Sequence, residues 1–202
     1  MKRTMPHLAI LVAASLVATA GSLAEANDAS LSSFERVMVP PAPKPIADFE
    51  LTDQDGRNFR FSSLRGAPAL MIFGFVHCPD ICPASLERLR LLKQSNPELK
   101  EVPVVMISVD AERDTAAALK GYLQHFSGEF IGLTGDPQHI RQIAAQFSAA
   151  FFKGAVNTTS GEYTVSHSGQ VYAIDKGGNL RAELYDASLE AMAGVTKALL
   201  AE

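Results

Sequence analysis

Phe73-Gly74-Phe75-Val76-His77-Cys78-Pro79-Asp80-Ile81-Cys82-Pro83 holds both cysteines of this 202-residue chain, four positions apart, at the end of an apolar run. The two prolines fix its local geometry. Pro83 has no N–H to donate, so it is tolerated only in the first turn of a helix. Pro79 biases Cys78 towards extended backbone. The stretch therefore predicts a strand that ends before Cys78 and a helix that starts near Asp80. Both sulfurs then lie at a helix N-terminus, whose partial positive charge favours thiolate over thiol. Residues i and i+4 of a helix sit about 6 Å apart at Cα, within disulfide range.

That spacing leaves three uses open. The pair can cycle between dithiol and disulfide, although three intervening residues depart from the two of a thioredoxin-type motif. It can hold a soft metal: sulfur ligands select copper(I), whereas zinc would need four ligands that the chain does not supply in the usual pairs. It can also be a structural staple, although so small a loop adds little stability.

Outward from this stretch, apolar periodicity sets the rest. On the N-terminal side, Asp48-Phe-Glu-Leu-Thr and Asn58-Phe-Arg-Phe alternate around Asp55-Gly56, a β-hairpin pattern. Ser62–Gly66 reads as one helical turn, and Pro68–Val76 as a strand covered on both faces. On the C-terminal side, a helix is expected over Asp80–Gln94 with Leu86, Leu89, Leu91 and Leu92 inward, then a buried strand over Val102–Val109. Helix over Asp114–Phe126, strand over Phe130–Leu133 and helix over Pro137–Phe147 follow. Phe151–Gly161 reads as loop. Strands are expected at Tyr163–Val165, Val171–Ile174 and Leu180–Leu184, and an amphipathic helix over Ser188–Leu200 with Leu189, Met192, Val195 and Leu199 on one side. Alternating βα units followed by an antiparallel pair predict an α/β fold of thioredoxin-like type. It has a mixed central sheet, an N-terminal β-hairpin and helices on both faces. Functional groups in such folds gather at the carboxyl end of the first central strand, where the cysteines fall.

Composition sets the class. With 47% hydrophobic and 20% charged residues the chain is ordinary globular material, and its net charge of −4 argues against a nucleic-acid partner. Residues 1–26 read as a signal peptide or N-terminal anchor: Lys2 and Arg3, an apolar Leu8–Ala20, then Ala24-Glu25-Ala26. The apolar run is short of the ~20 residues a spanning helix needs. No cysteine follows it, so a lipid-anchored form is not expected. Export would place the thiols in an oxidising compartment. Residues 27–45, with Pro40, Pro41, Pro43 and Pro45, read as a linker, and residues 46–202 as the folded domain.

Histidine decides how far a metal reading goes. His7 lies in the leader, while His125 and His139 lie at helix ends and read as solvated or partly packed. His77 precedes Cys78 and should point to the opposite face. His167 lies in a predicted loop just before the Val171 strand, opposite the helix mouth, which makes it the candidate third ligand. Asp80 reads as a helix N-cap or, alternatively, a metal contact, and Asp110, Arg113 and Asp114 as a loop-and-cap arrangement or, alternatively, a partner-recognition group.

Gly74–Pro83 closely resembles the signature of the Sco/SenC family of copper-binding, thioredoxin-like proteins. The likeness continues through Ile107–Thr115, Ile131–Gly135 and Val165–Ser168 and runs from about Phe49 to the C-terminal helix. It implies a site for one copper ion, Cu(I) or Cu(II), made from Cys78, Cys82 and His167. It also implies a periplasmic metallochaperone, with inner-membrane anchoring through the N-terminus as a variant. The implied partner is the copper-site subunit of cytochrome c oxidase, at its copper A centre, or another periplasmic copper carrier. Two departures stand out: Ser166 replaces the family's usual aspartate before the histidine, and Val76 stands where threonine is common. Two other roles use the same residues. One is a thiol-disulfide reductase cycling Cys78 and Cys82 on a partner's copper-site cysteines; the other is a redox or copper sensor. Peroxidase chemistry is disfavoured, because Phe75 stands where a threonine three residues before a peroxidatic cysteine is usual.

Overall fold

The structure is a computed structural model that describes residue 31, residues 34–159 and residues 162–202. The expected leader lies outside the described residues. In chain order the strands and helices are β1 (Val37–Met38), β2 (Lys44–Pro45), β3 (Glu50–Asp53), β4 (Asn58–Arg60), β5 (Ala69–Gly74), α1 (Ile81–Ser95), β6 (Val104–Ser108), α2 (Ala116–Leu123), β7 (Ile131–Thr134), α3 (Pro137–Gln146), β8 (Phe151–Lys153), β9 (Val165–His167), β10 (Val171–Ile174), β11 (Asn179–Leu184) and α4 (Leu189–Ala201).

Every residue of β5 and β6 is buried, as a strand covered on both faces requires. These two strands and β7 are parallel neighbours, while β10 joins β5 antiparallel and β11 continues outward. The main sheet runs β1-β11-β10-β5-β6-β7-β3-β4, with β2 also on β11. Side chains alternate across it. Leu70, Ile72 and Met106 face one core layer with Leu86, Leu89 and Leu92 of α1, Leu119 and Leu123 of α2, and Met192, Val195 and Leu199 of α4. Met71, Phe73, Val105 and Ile107 face the other, against Ile140 and Ile143 of α3. The β3–β4 hairpin turns at Gly56, whose φ of 78° suits glycine.

Several expectations change. Val37–Met38 and Lys44–Pro45, expected as linker, instead pair with β11 and extend the sheet. Phe151–Lys153, expected as loop, is a strand paired with β9, and β9 begins at Val165 rather than Tyr163. Both pairs are two or three residues long, too short for a period-2 pattern to register. Leu91 is half-buried and Leu189 is 37% exposed, so each lies at the margin of its helix's buried stripe. Thr115, not Asp114, caps α2 by accepting from the Ala118 N–H at 3.2 Å. Among the described residues no helix is long and apolar enough to cross a membrane.

Candidate metal centre

The helix mouth forms where the two prolines predicted. β5 ends at Gly74, α1 starts at Ile81, and Cys78 sits in the intervening loop with Cys82 in the first turn. Both are free thiols, Cys78 half-buried and Cys82 only 2% exposed. Asp80 occupies the N-cap position, but its exposed side chain makes no capping bond. The Cys78 sulfur stands near that role: the Cys82 N–H points at Cys78 Sγ across 3.4 Å. Sulfur is a weak acceptor, so a helix end capped this way leaves the sulfur able to take a better partner.

His167 comes to the same point from β9. Its Nε2 lies 3.2 Å from Cys82 Sγ and 3.8 Å from Cys78 Sγ. Its Nδ1 lies 3.0 Å from the Ser168 carbonyl, so Nδ1 carries the proton and donates there. That tautomer leaves the Nε2 lone pair aimed at the sulfurs. The two sulfurs and a ring nitrogen all lie within 4.8 Å of one another. Two soft sulfurs and one imidazole are a donor set suited to copper(I), and these are the residues that would hold such an ion.

Burial governs the electrostatics. It pushes the Cys82 thiol well above its ordinary range, with the neighbouring Cys78 sulfur adding to the rise. The helix N-terminus was expected to favour thiolate at both cysteines. At Cys82 desolvation in an apolar shell outweighs it. Burial also lowers the His167 pKa, keeping the imidazole neutral near pH 7. The Phe75 ring meets that imidazole edge-on, with centroids 5.6 Å apart.

The other expected residues fall outside the cluster. His77 is exposed, with Nδ1 3.9 Å from Asp114 Oδ1. His125 is exposed, its Nδ1 2.9 Å from the Gly121 carbonyl, and His139 lies in the first turn of α3. Ser166 is exposed and sits opposite Phe152 in the β8–β9 pair. Asp114 has a role the sequence did not disclose. Its fully buried carboxylate accepts from the Val76 N–H at 3.0 Å and the Ser108 hydroxyl at 2.7 Å, so it holds the cysteine loop from beneath. Burial raises its pKa. Gly74 matters for space: a Cβ there would stand 3.0 Å from Cys82 Sγ and 3.3 Å from Met106 Cε.

Fold and site together define a thioredoxin-like α/β protein with two thiols and an imidazole gathered at the carboxyl end of its central strand. The SCO1/SenC family profile matches residues 39–201. The chain belongs to the SCO1/SenC family. It is 38% identical over 139 residues to an SCO2-like protein of Rickettsia conorii, covering 68% of each chain. Its fold matches copper-bound ScoI of Bradyrhizobium japonicum with a TM-score of 0.69 and 35% identity, covering 77% of this chain and 99% of that one. It also matches copper-bound yeast Sco1 with a TM-score of 0.67 and 29% identity, covering 77% and 86%.

Proposed function

We propose that the chain is an exported copper metallochaperone. It binds one copper ion through Cys78, Cys82 and His167 and delivers it to the copper A site of cytochrome c oxidase or to another periplasmic carrier. The observation that carries this reading is the convergence of two sulfurs and the His167 ring nitrogen within 4.8 Å. The copper-bound relatives support it, as does the sequence of the leader, which reads as an export signal in residues 1–26. Binding is tested by competition titration of the reduced chain with copper(I). Delivery is tested by mixing the loaded chain with a metal-free copper A domain and following that domain's absorption bands. Copper that stays on the donor at equilibrium would overturn the delivery role.

Copper uptake should be proton-coupled. The buried Cys82 thiol is protonated at neutral pH, whereas a metal-bound cysteine is a thiolate, so binding must expel that proton. The sign follows: affinity rises with pH, about tenfold per unit for this one proton, and weakens as pH falls. His167, already neutral near pH 7, releases none there. Titration in weak buffer, with the released acid measured directly, checks this.

Gly74→Ala should weaken copper binding about tenfold while the fold persists, because the added methyl presses on Cys82 Sγ. Competition titration beside a circular-dichroism spectrum separates the two effects.

A second reading is favoured by the closeness of the two cysteines, since the Cys82 amide touches Cys78 Sγ. A thiolate from this pair attacks a partner's disulfide, and the second sulfur then resolves the mixed disulfide. The partner gains two electrons and two protons as two thiols, and Cys78–Cys82 becomes the disulfide. This activity would persist in His167→Ala and under copper chelation, which distinguishes it from the chaperone reading.

A further inference from the structure

β9 presents His167 but is poorly supported as a strand. Among the described residues it pairs with β8 alone, in a two-stranded unit separate from the main sheet. An isolated pair of this kind is marginal in water. At its near end, the Ser168 N–H donates to the Ala150 carbonyl and the Ala150 N–H to the Ser168 hydroxyl, each at 2.9 Å. At the far end the Gly154 N–H donates to the Thr164 carbonyl at 2.8 Å and the Asn157 N–H to the Glu162 carbonyl at 2.7 Å, and Tyr163 adds a side-chain anchor to the body of the fold.

Tyr163 lies two residues before β9, and its hydroxyl donates to Asp110 Oδ1 at 2.5 Å. Asp110 is 4% exposed, and its other oxygen accepts from Arg113 Nε. The Arg113 guanidinium sits 3.8 Å above the Tyr163 ring centroid and also donates to the Tyr163 carbonyl at 3.2 Å. Lys153 Nζ, from β8, lies 4.0 Å from the ring centroid and pairs with Glu112. The ring is thus held by two cations, and its hydroxyl by a buried carboxylate. Burial and the Asp110 carboxylate push the phenol up to about 12, so it stays a donor at neutral pH.

Asp110, Arg113 and Asp114 lie on one loop, between β6 and α2. Asp114 holds Val76 of the cysteine loop. The same loop therefore grips both halves of the site: the sulfur side through Asp114 and the imidazole side through Tyr163. Its own shape is fixed, because the Arg113 and Asp114 N–H groups both donate to the Asp110 carbonyl at 2.9 Å, and the Asp110 N–H donates to the Ser108 hydroxyl at 3.1 Å.

We propose that Tyr163 is a positioning residue for the metal centre, locked by Asp110 and Arg113 so that β9 holds the His167 imidazole opposite the two sulfurs. The proposal rests on the copper reading of the site, but its first test does not. In the metal-free chain, Tyr163→Phe and Tyr163→Ala should speed amide exchange of residues 151–153 and 165–167 about tenfold or more, because a bond to a charged partner is lost. Amides of β5 and β6 should keep their rates. The His167 ring-nitrogen resonances should shift as the imidazole leaves the sulfurs.

In the copper-loaded chain, both variants should bind about tenfold more weakly and lose much of the single-imidazole nitrogen coupling in the copper(II) paramagnetic spectrum, with sulfur ligation retained. Arg113→Lys keeps the charge but loses the planar stack, and should fall between parent and Tyr163→Phe. Faster exchange with an unchanged imidazole signal in both forms would overturn the proposal, since the lock would then be structural only. Unchanged exchange would overturn it as well. A parent chain that takes up no copper overturns the metal reading alone, because the exchange and ring-nitrogen measurements are made without metal.

Discussion

Cys82→Ser is expected to lower copper(I) affinity by more than ~100-fold, read by competition titration of the reduced chain. Loss of a group that merely supports a metal ligand costs ~10–100-fold, and removing a ligand outright should exceed that. Serine replaces a soft, polarisable sulfur with a hard hydroxyl that a soft ion does not favour. The site has no spare thiol, because Cys78 and Cys82 are the only cysteines of the chain. Cys78→Ser should act alike. His167→Ala should also weaken binding strongly but leave a two-sulfur complex, since both thiols remain at the helix mouth. The three losses should not add, because each variant removes part of one three-donor cluster. If all three variants bound one equivalent as tightly as the parent, the ligand assignment would fall.

Phe73→Ala should destabilise the fold by about 3–5 kcal/mol, the range for removing a buried aromatic ring. Phe73 is 2% exposed on β5 and forms an aromatic triangle with Phe147 and Tyr172, at centroid distances of 5.4 and 5.7 Å, with Phe147 and Tyr172 themselves 5.4 Å apart. All three rings meet edge to face, so the loss includes their pairing as well as buried area. Phe147 follows α3 and Tyr172 lies on β10, so the triangle joins three elements in the core layer that also contains Cys82. Chemical denaturation should show the loss, and the melting temperature should fall by ~6–20 °C for a chain of this size. A change under 1 kcal/mol would mean that the core repacks around the gap.

Both predictions concern residues that the sequence marks unequally. Cys78 and Cys82 were legible because two prolines restrict the backbone around them, and that restriction is local. The six buried residues of β5 were legible because the run is apolar without alternation. His167 was legible as a candidate through the family resemblance and through its place before β10, although the sequence put it in a loop rather than on a strand. Asp114 and Tyr163 were not legible in these roles. Asp114 reaches Val76 across 38 residues and Tyr163 reaches Asp110 across 53, and no local pattern records such pairings.

By itself the sequence determined the order of the central strands and helices, the helix mouth and the presence of both sulfurs within it, because periodicity and proline act on near neighbours along the chain. The two- and three-residue strands β1, β2 and β8 carry no such pattern. Tertiary structure alone decided three things. It set the separations of 3.2 and 3.8 Å between the imidazole and the sulfurs. It set the histidine tautomer, through the Ser168 carbonyl. It also set the protonation of Cys82, where packing under Gly74 and Phe75 removes water and reverses the preference that the helix end alone would impose. Distance, tautomer and desolvation all depend on groups remote in sequence, and the fold is what brings them together.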